Sequence, residues 1–79
     1  MAIYYQGQEY HHYAWCQECQ HVYPTRAWEQ NTWWCPEPGC QGGSCDARPW
    51  EQIRNVAARS GEEYPEQPDP HEAYPADVG

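Results

Sequence analysis

The chain is 79 residues long and carries 12 acidic side chains against four arginines, a formal charge of −8. Chains shorter than about 70–80 residues rarely hold together on an apolar core alone and turn to a metal, disulfides or a partner. Phe is absent and aliphatic side chains are few, while five Trp and seven Tyr supply most of the large apolar surface, which excludes a thick aliphatic core, and no run approaches the ~20 apolar residues of a membrane-spanning helix.

The charge is unevenly placed. Residues 1–61 hold six acids against four arginines, a net of −2, and residues 62–79 hold six acids with no base, a net of −6. The head is near neutral, and the acidic end would repel phosphate. No basic start followed by an apolar run marks a secretory leader. Five cysteines, two of them in a C-x-x-C, without a sign of secretion point to metal rather than to a disulfide framework. The expectation is a soluble, cytoplasmic chain with no membrane partner.

In chain order, Ile3–Cys16 is rich in Tyr and His, is interrupted by Gly7, and reads as one or two strands, since aromatic residues suit a pleated surface. Tyr13-Ala14-Trp15 runs directly into Cys16. After Cys19, His21-Val22-Tyr23 reads as the returning strand of a tight hairpin, stopped by Pro24. Residues 24–32 form a connection with room for one helical turn. Trp33-Trp34-Cys35 mirrors Ala14-Trp15-Cys16 and predicts a second strand entering a second loop. Pro36–Ser44, with three Gly and two Pro, is loop.

A helix is predicted over about 47–60. Asp46 or Ser44 is placed to cap it, and Pro49 sits in its first turn, where a missing N–H costs little. Trp50, Ile53, Val56 and Ala57 share one face at helical spacing, and Gly61 is a natural residue just past the end. Residues 62–79, with Pro65, Pro68, Pro70 and Pro75 and no local base, predict a disordered acidic tail outside the folded region 1–61. Tyr64 and Tyr74 are its large apolar groups and are assigned to partner binding, with a groove on the chain's own Arg48/Arg59 face as the alternative.

The chemistry sits in the cysteines, which read C-x2-C-x15-C-x4-C over Cys16, Cys19, Cys35 and Cys40. A C-x-x-C turn lets two thiolates converge on one ion, and two facing turns complete a tetrahedron of sulfurs at about 2.3 Å from the metal. Cys45 follows Cys40 at the same spacing as Cys40 follows Cys35, which makes it the alternative fourth ligand, behind Cys40. His11, His12, His21 and His71 are set aside as surface or strand residues, because four cysteines already fill the tetrahedron. The aromatic set offers either a core or a base-stacking platform, and the shortage of other core residues favours the core.

Trp15-Cys16-Gln17-Glu18-Cys19-Gln20-His21-Val22-Tyr23, answered by Trp34-Cys35-Pro36, resembles the zinc-ribbon and rubredoxin-like pattern of two metal-binding loops. The resemblance covers residues 13–40. It implies a small β-hairpin fold with a four-cysteine metal site, zinc at one ion per chain or, alternatively, iron. Cys35-x4-Cys40 departs from the two matched C-x-x-C turns of iron rubredoxins. The segment Trp34–Cys40 also resembles one loop of the in-between-RING zinc fingers. The fold expected is therefore a small metal-bound β module with one C-terminal amphipathic helix and an acidic tail.

A four-sulfur site leaves no coordination position for water or substrate, and no phosphate loop or Ser/His/Asp set stands out. The expected function is non-catalytic: a zinc-stabilised module that binds another protein. The alternatives are a rubredoxin-like iron electron carrier, a nucleic-acid-binding zinc ribbon and an acidic mimic of nucleic acid.

Overall fold

The computed structural model describes residues 3–5, 8–10 and 12–77. Strands β1 (Ile3–Tyr5) and β2 (Gln8–Tyr10) form an antiparallel hairpin. Gly7 and His11 lie outside the described residues. A second, three-stranded sheet has β3 (Tyr13–Cys16) at its centre, with β4 (Val22–Pro24) on one side and β5 (Ala47–Pro49) on the other, both antiparallel to it. Helix α1 (Thr25–Gln30) follows β4, and helix α2 (Trp50–Arg59) follows β5. Among the described residues no helix is long and apolar enough to cross a membrane.

β3 is flanked on both edges and covered on both faces, so Ala14, Trp15 and Cys16 have no solvent exposure. Side chains alternate between faces along a strand, and the alternation here splits the interior into two clusters. On one face Ala14 and Cys16 pack with Tyr10, Trp28, Trp33, Cys35 and Ala47. On the other, Trp15 packs with Val22, Trp50, Ile53 and Tyr74. Tyr10, Trp15, Trp28, Trp33, Trp50 and Tyr74 are core, as the shortage of aliphatics predicts, and each needs a partner for its polar edge. Trp28 donates to the Ala14 carbonyl (3.2 Å) and Tyr10 to that of Ala47 (3.2 Å).

The predicted strand at Trp33-Trp34-Cys35 does not form. α1 runs to Gln30 and closes in a Schellman motif, with Trp33 N–H reaching the Trp28 carbonyl (2.7 Å) and Thr32 N–H that of Glu29 (3.2 Å). Thr32 and Trp33 both lie in the left-handed region, at φ 52° and 61°. This reversal turns the Trp33 ring back onto Trp28 and Tyr10, with centroids 6.4 and 5.1 Å apart, and leaves Trp34 exposed.

α2 begins three residues later than predicted. Ala47–Pro49 pairs with β3 instead, and Pro49 takes the N-cap position in extended conformation without a side-chain cap. Asp46 accepts from Gly43 N–H (3.2 Å) and does not cap the helix. The end of α2 follows expectation. Gly61, at φ 83°, supplies the same motif as α1, with Glu62 N–H on the Ala57 carbonyl (2.9 Å) and Gly61 N–H on that of Ala58 (3.1 Å).

Residues 62–77, expected as a disordered tail with Tyr64 and Tyr74 free for a partner, instead lie against the fold. Tyr74 is 6% exposed. Its carbonyl accepts the Trp15 indole N–H (2.8 Å), and its own N–H donates to the Gln20 carbonyl (2.8 Å). Tyr64 stacks parallel to Trp50 at 5.8 Å, Tyr74 meets both rings edge-on, and the Trp50 indole donates to Pro65 O (2.9 Å). The physical reason is the donor inventory. Two buried indoles, Trp15 and Trp50, need acceptors, and the backbone of this segment provides both.

Two stability measurements test these readings. Tyr74→Ala should destabilise the protein by about 3–5 kcal/mol, the cost of truncating a buried aromatic, read as a shifted urea midpoint; an unchanged midpoint would make residues 62–77 a passive appendage. Thr32→Gly should stabilise it by about 0.5–1 kcal/mol. The left-handed backbone costs a residue with a Cβ about 1–2 kcal/mol, partly offset by the extra freedom of glycine in the unfolded chain.

Candidate metal centre

Two loops present the cysteines. In the first, Cys16 ends β3 and Cys19 lies in the turn after it. Gln20 N–H closes on the Cys16 carbonyl (2.7 Å), Cys16 N–H bonds the His21 carbonyl (3.0 Å), and Gln20 turns the chain back at φ 62°. The segment before β5 supports this loop through Gln17 N–H to Asp46 O (2.9 Å).

The second loop is two residues longer between its cysteines. The excess is taken up at Glu37-Pro38-Gly39-Cys40, where Cys40 N–H bonds the Glu37 carbonyl (3.1 Å) and Gly39 has φ 85°. Pro at the second position and a positive-φ Gly at the third is the type II turn pattern. Cys35 N–H bonds the Gly42 carbonyl (2.9 Å), which anchors the start of the loop to its return.

These turns bring Cys16, Cys19, Cys35 and Cys40 together, with all four sulfurs within 4.8 Å of one another. The Cys16–Cys40 and Cys19–Cys35 separations are 3.7 and 3.5 Å. A disulfide would need about 2.05 Å, and all four cysteines are free. Sulfurs at 2.3 Å from a tetrahedral ion stand about 3.8 Å apart along each edge. The donor set and its spacing therefore fit a metal ion. Cys16 and Cys35 are buried, and Cys19 and Cys40 lie on the partly open side.

Burial shapes the acidity of the sulfurs. Desolvation pushes the Cys16 thiol up to about 12 and Cys35 higher still, against backbone N–H groups that favour the thiolate. At Cys40 desolvation also acts upward, but the Gly42 N–H and the neighbouring thiols outweigh it, and the net shift is downward. A metal binds thiolates, so occupation must displace protons, and affinity rises with pH while the thiols remain protonated.

Cys45, the alternative ligand, is exposed outside this group. Its carbonyl accepts from Arg48 Nη1 (3.0 Å). His21 is not in the converging group and donates from Nδ1 to the Pro70 carbonyl (2.9 Å), which ties residues 62–77 to the first loop. His12 and His71 are exposed.

Two contributors escaped the sequence reading. Tyr23, on β4, donates its hydroxyl to the Glu37 carboxylate and so links the two loops. Burial foremost, then the adjacent carboxylate, raises the phenol's pKa and keeps it the donor. Gly42 donates its N–H to Cys40 Sγ (3.3 Å), and a Cβ there would stand 2.8 Å from Cys16 Sγ and 3.3 Å from Glu18 Cβ. The cluster of glycines marked a loop but did not say which one a sulfur approaches.

Comparison of the chain with protein-family models, with curated proteins and with solved structures finds no match.

Gly42→Ala should weaken metal binding at least tenfold, because its Cβ enters the space of a ligand sulfur. Gly43→Ala, whose Cβ would meet only the Trp34 ring at ordinary contact distance (3.4 Å), should bind within about twofold of wild type, a ceiling below 0.5 kcal/mol. Competition against a chromophoric chelator measures both, and equal effects would remove the special role of Gly42.

Proposed function

We propose that this chain is a non-catalytic zinc-binding module of the zinc-ribbon or rubredoxin-like kind, with one ion held by Cys16, Cys19, Cys35 and Cys40, acting through contacts with another protein. The observation that carries the metal reading is the convergence of four sulfurs from two separate loops. Four thiolates satisfy a tetrahedral ion and leave no position for substrate, which supports a scaffold over a catalyst. The unequal loops, C-x-x-C against C-x4-C, favour zinc over the iron of two matched turns.

Structural zinc contributes about 10–16 kcal/mol to the folding of small domains at neutral pH, which suits a chain whose core is two thin aromatic clusters. The protein-binding reading is supported by Trp34, which is 57% exposed beside Cys35. Tryptophan is among the residues most enriched at the energetic centres of protein interfaces.

Elemental analysis of the reduced, untagged protein should find one zinc per chain and no visible absorption. Serine at position 16, 19, 35 or 40 should abolish stoichiometric zinc, and Cys45→Ser should retain it. A fully folded, metal-free protein under reducing conditions would overturn the reading, and a coloured, iron-loaded protein would replace it with an electron carrier.

A further inference from the structure

The longer second loop poses a geometric problem that the first does not. Two additional residues allow up to about 7 Å of extra chain, far more than a sulfur can wander and still share a tetrahedron. The type II turn shortens the path, but a turn alone leaves the loop free to swing about its ends. Cys35 N–H on Gly42 O and Gly42 N–H on Cys40 Sγ tie the loop's ends to each other, and Glu37 is where the loop is fixed to the sheet. Its carbonyl closes the turn on Cys40 N–H, and its carboxylate is held by the Tyr23 hydroxyl.

Tyr23 is itself fixed. It stands opposite Ala14 in the β3–β4 ladder, so its side chain shares the face of Ala14 and Cys16. It packs against the cluster that contains Cys16 and Cys35. The hydroxyl is thus mounted on the sheet that carries the first loop, and it grips the second loop three residues before Cys40.

We propose that Tyr23 and Glu37 are positioning residues for the metal, their hydrogen bond setting the place of Cys40 against the other three sulfurs. This rests on the metal reading above and goes beyond it by naming what aligns the two loops. Neither residue belongs to the four-sulfur group. Groups that orient ligands from behind typically change metal affinity 10–100-fold when removed.

The test uses the full-length reduced chain, titrated with cobalt(II) and then displaced with zinc. Tyr23→Phe and Glu37→Ala should each weaken cobalt binding 10–100-fold and reduce the sulfur-to-cobalt charge-transfer bands toward those of three thiolates. The double variant should be no weaker than the weaker single variant, since both changes remove one bond. Glu37→Gln, whose amide oxygen still accepts, should bind within about threefold of wild type, a ceiling near 0.7 kcal/mol. Tyr64→Phe loses a hydroxyl bonded to Pro75 O in the other cluster and reports general destabilisation. It should leave the cobalt spectrum unchanged.

Additive losses, unaltered affinity in Tyr23→Phe, or a Glu37→Gln as weak as Glu37→Ala would overturn the proposal. Failure of the wild-type chain to bind cobalt would overturn the metal reading instead.

Discussion

The arrangement depends on one four-residue strand being enclosed on every side. β3 has a neighbour at each edge, so its backbone is paired in both directions, and its two faces look into different interiors. Cys16 on one face belongs to the sulfur cluster, and Trp15, next to it in sequence, belongs to the aromatic cluster under residues 62–77. A one-residue slip in register would exchange the faces and send the sulfur into the aromatic side. The position of the first sulfur and the docking of the C-terminal segment are therefore set by the same ladder.

Hydrogen-bond satisfaction accounts for much of the rest. An aromatic core of tryptophan carries a donor on each ring, and a buried donor left unpaired costs about 1–3 kcal/mol. Here the indoles of Trp15, Trp28 and Trp50 find backbone carbonyls at Tyr74, Ala14 and Pro65. Two of those three acceptors lie beyond Gly61. An acidic, proline-rich segment that cannot form a core of its own completes the core of the preceding sixty residues through its carbonyls and two tyrosine rings. Its prolines suit this use, since an extended segment that offers acceptors loses little by lacking N–H donors.

The sulfur cluster is held from outside at both loops. Residues 62–77 reach the first through Gln20 and His21, immediately after Cys19. Tyr23 reaches the second through Glu37, and Gly42 lets the returning chain pass close to Cys16. The residues that reach the loops, Tyr74, Pro70 and Tyr23, all come from outside the two cysteine turns.

Local chemistry in the sequence determined a good deal. The Cys16–Cys19 turn with its returning strand, the loop character of Pro36–Ser44, the apolar face of α2 and its end at Gly61 each depend on residues a few positions apart. So does the convergence of Cys16 with Cys19, whereas the choice of Cys40 over Cys45, which follow at equal spacing, is made by the fold of the second loop. The tertiary structure decided what depends on partners distant in the chain. Ala47–Pro49 became a strand because β3 offers it an edge, although proline near a helix start also fits a first turn. Trp33 turned inward through a left-handed threonine that propensity argues against, because Trp28 and Tyr10 form a site for its ring. Residues 62–77 joined the fold because buried indoles 15 to 59 positions away lacked acceptors, and composition, which counts what a segment can bury by itself, carries no information about what another segment needs from it.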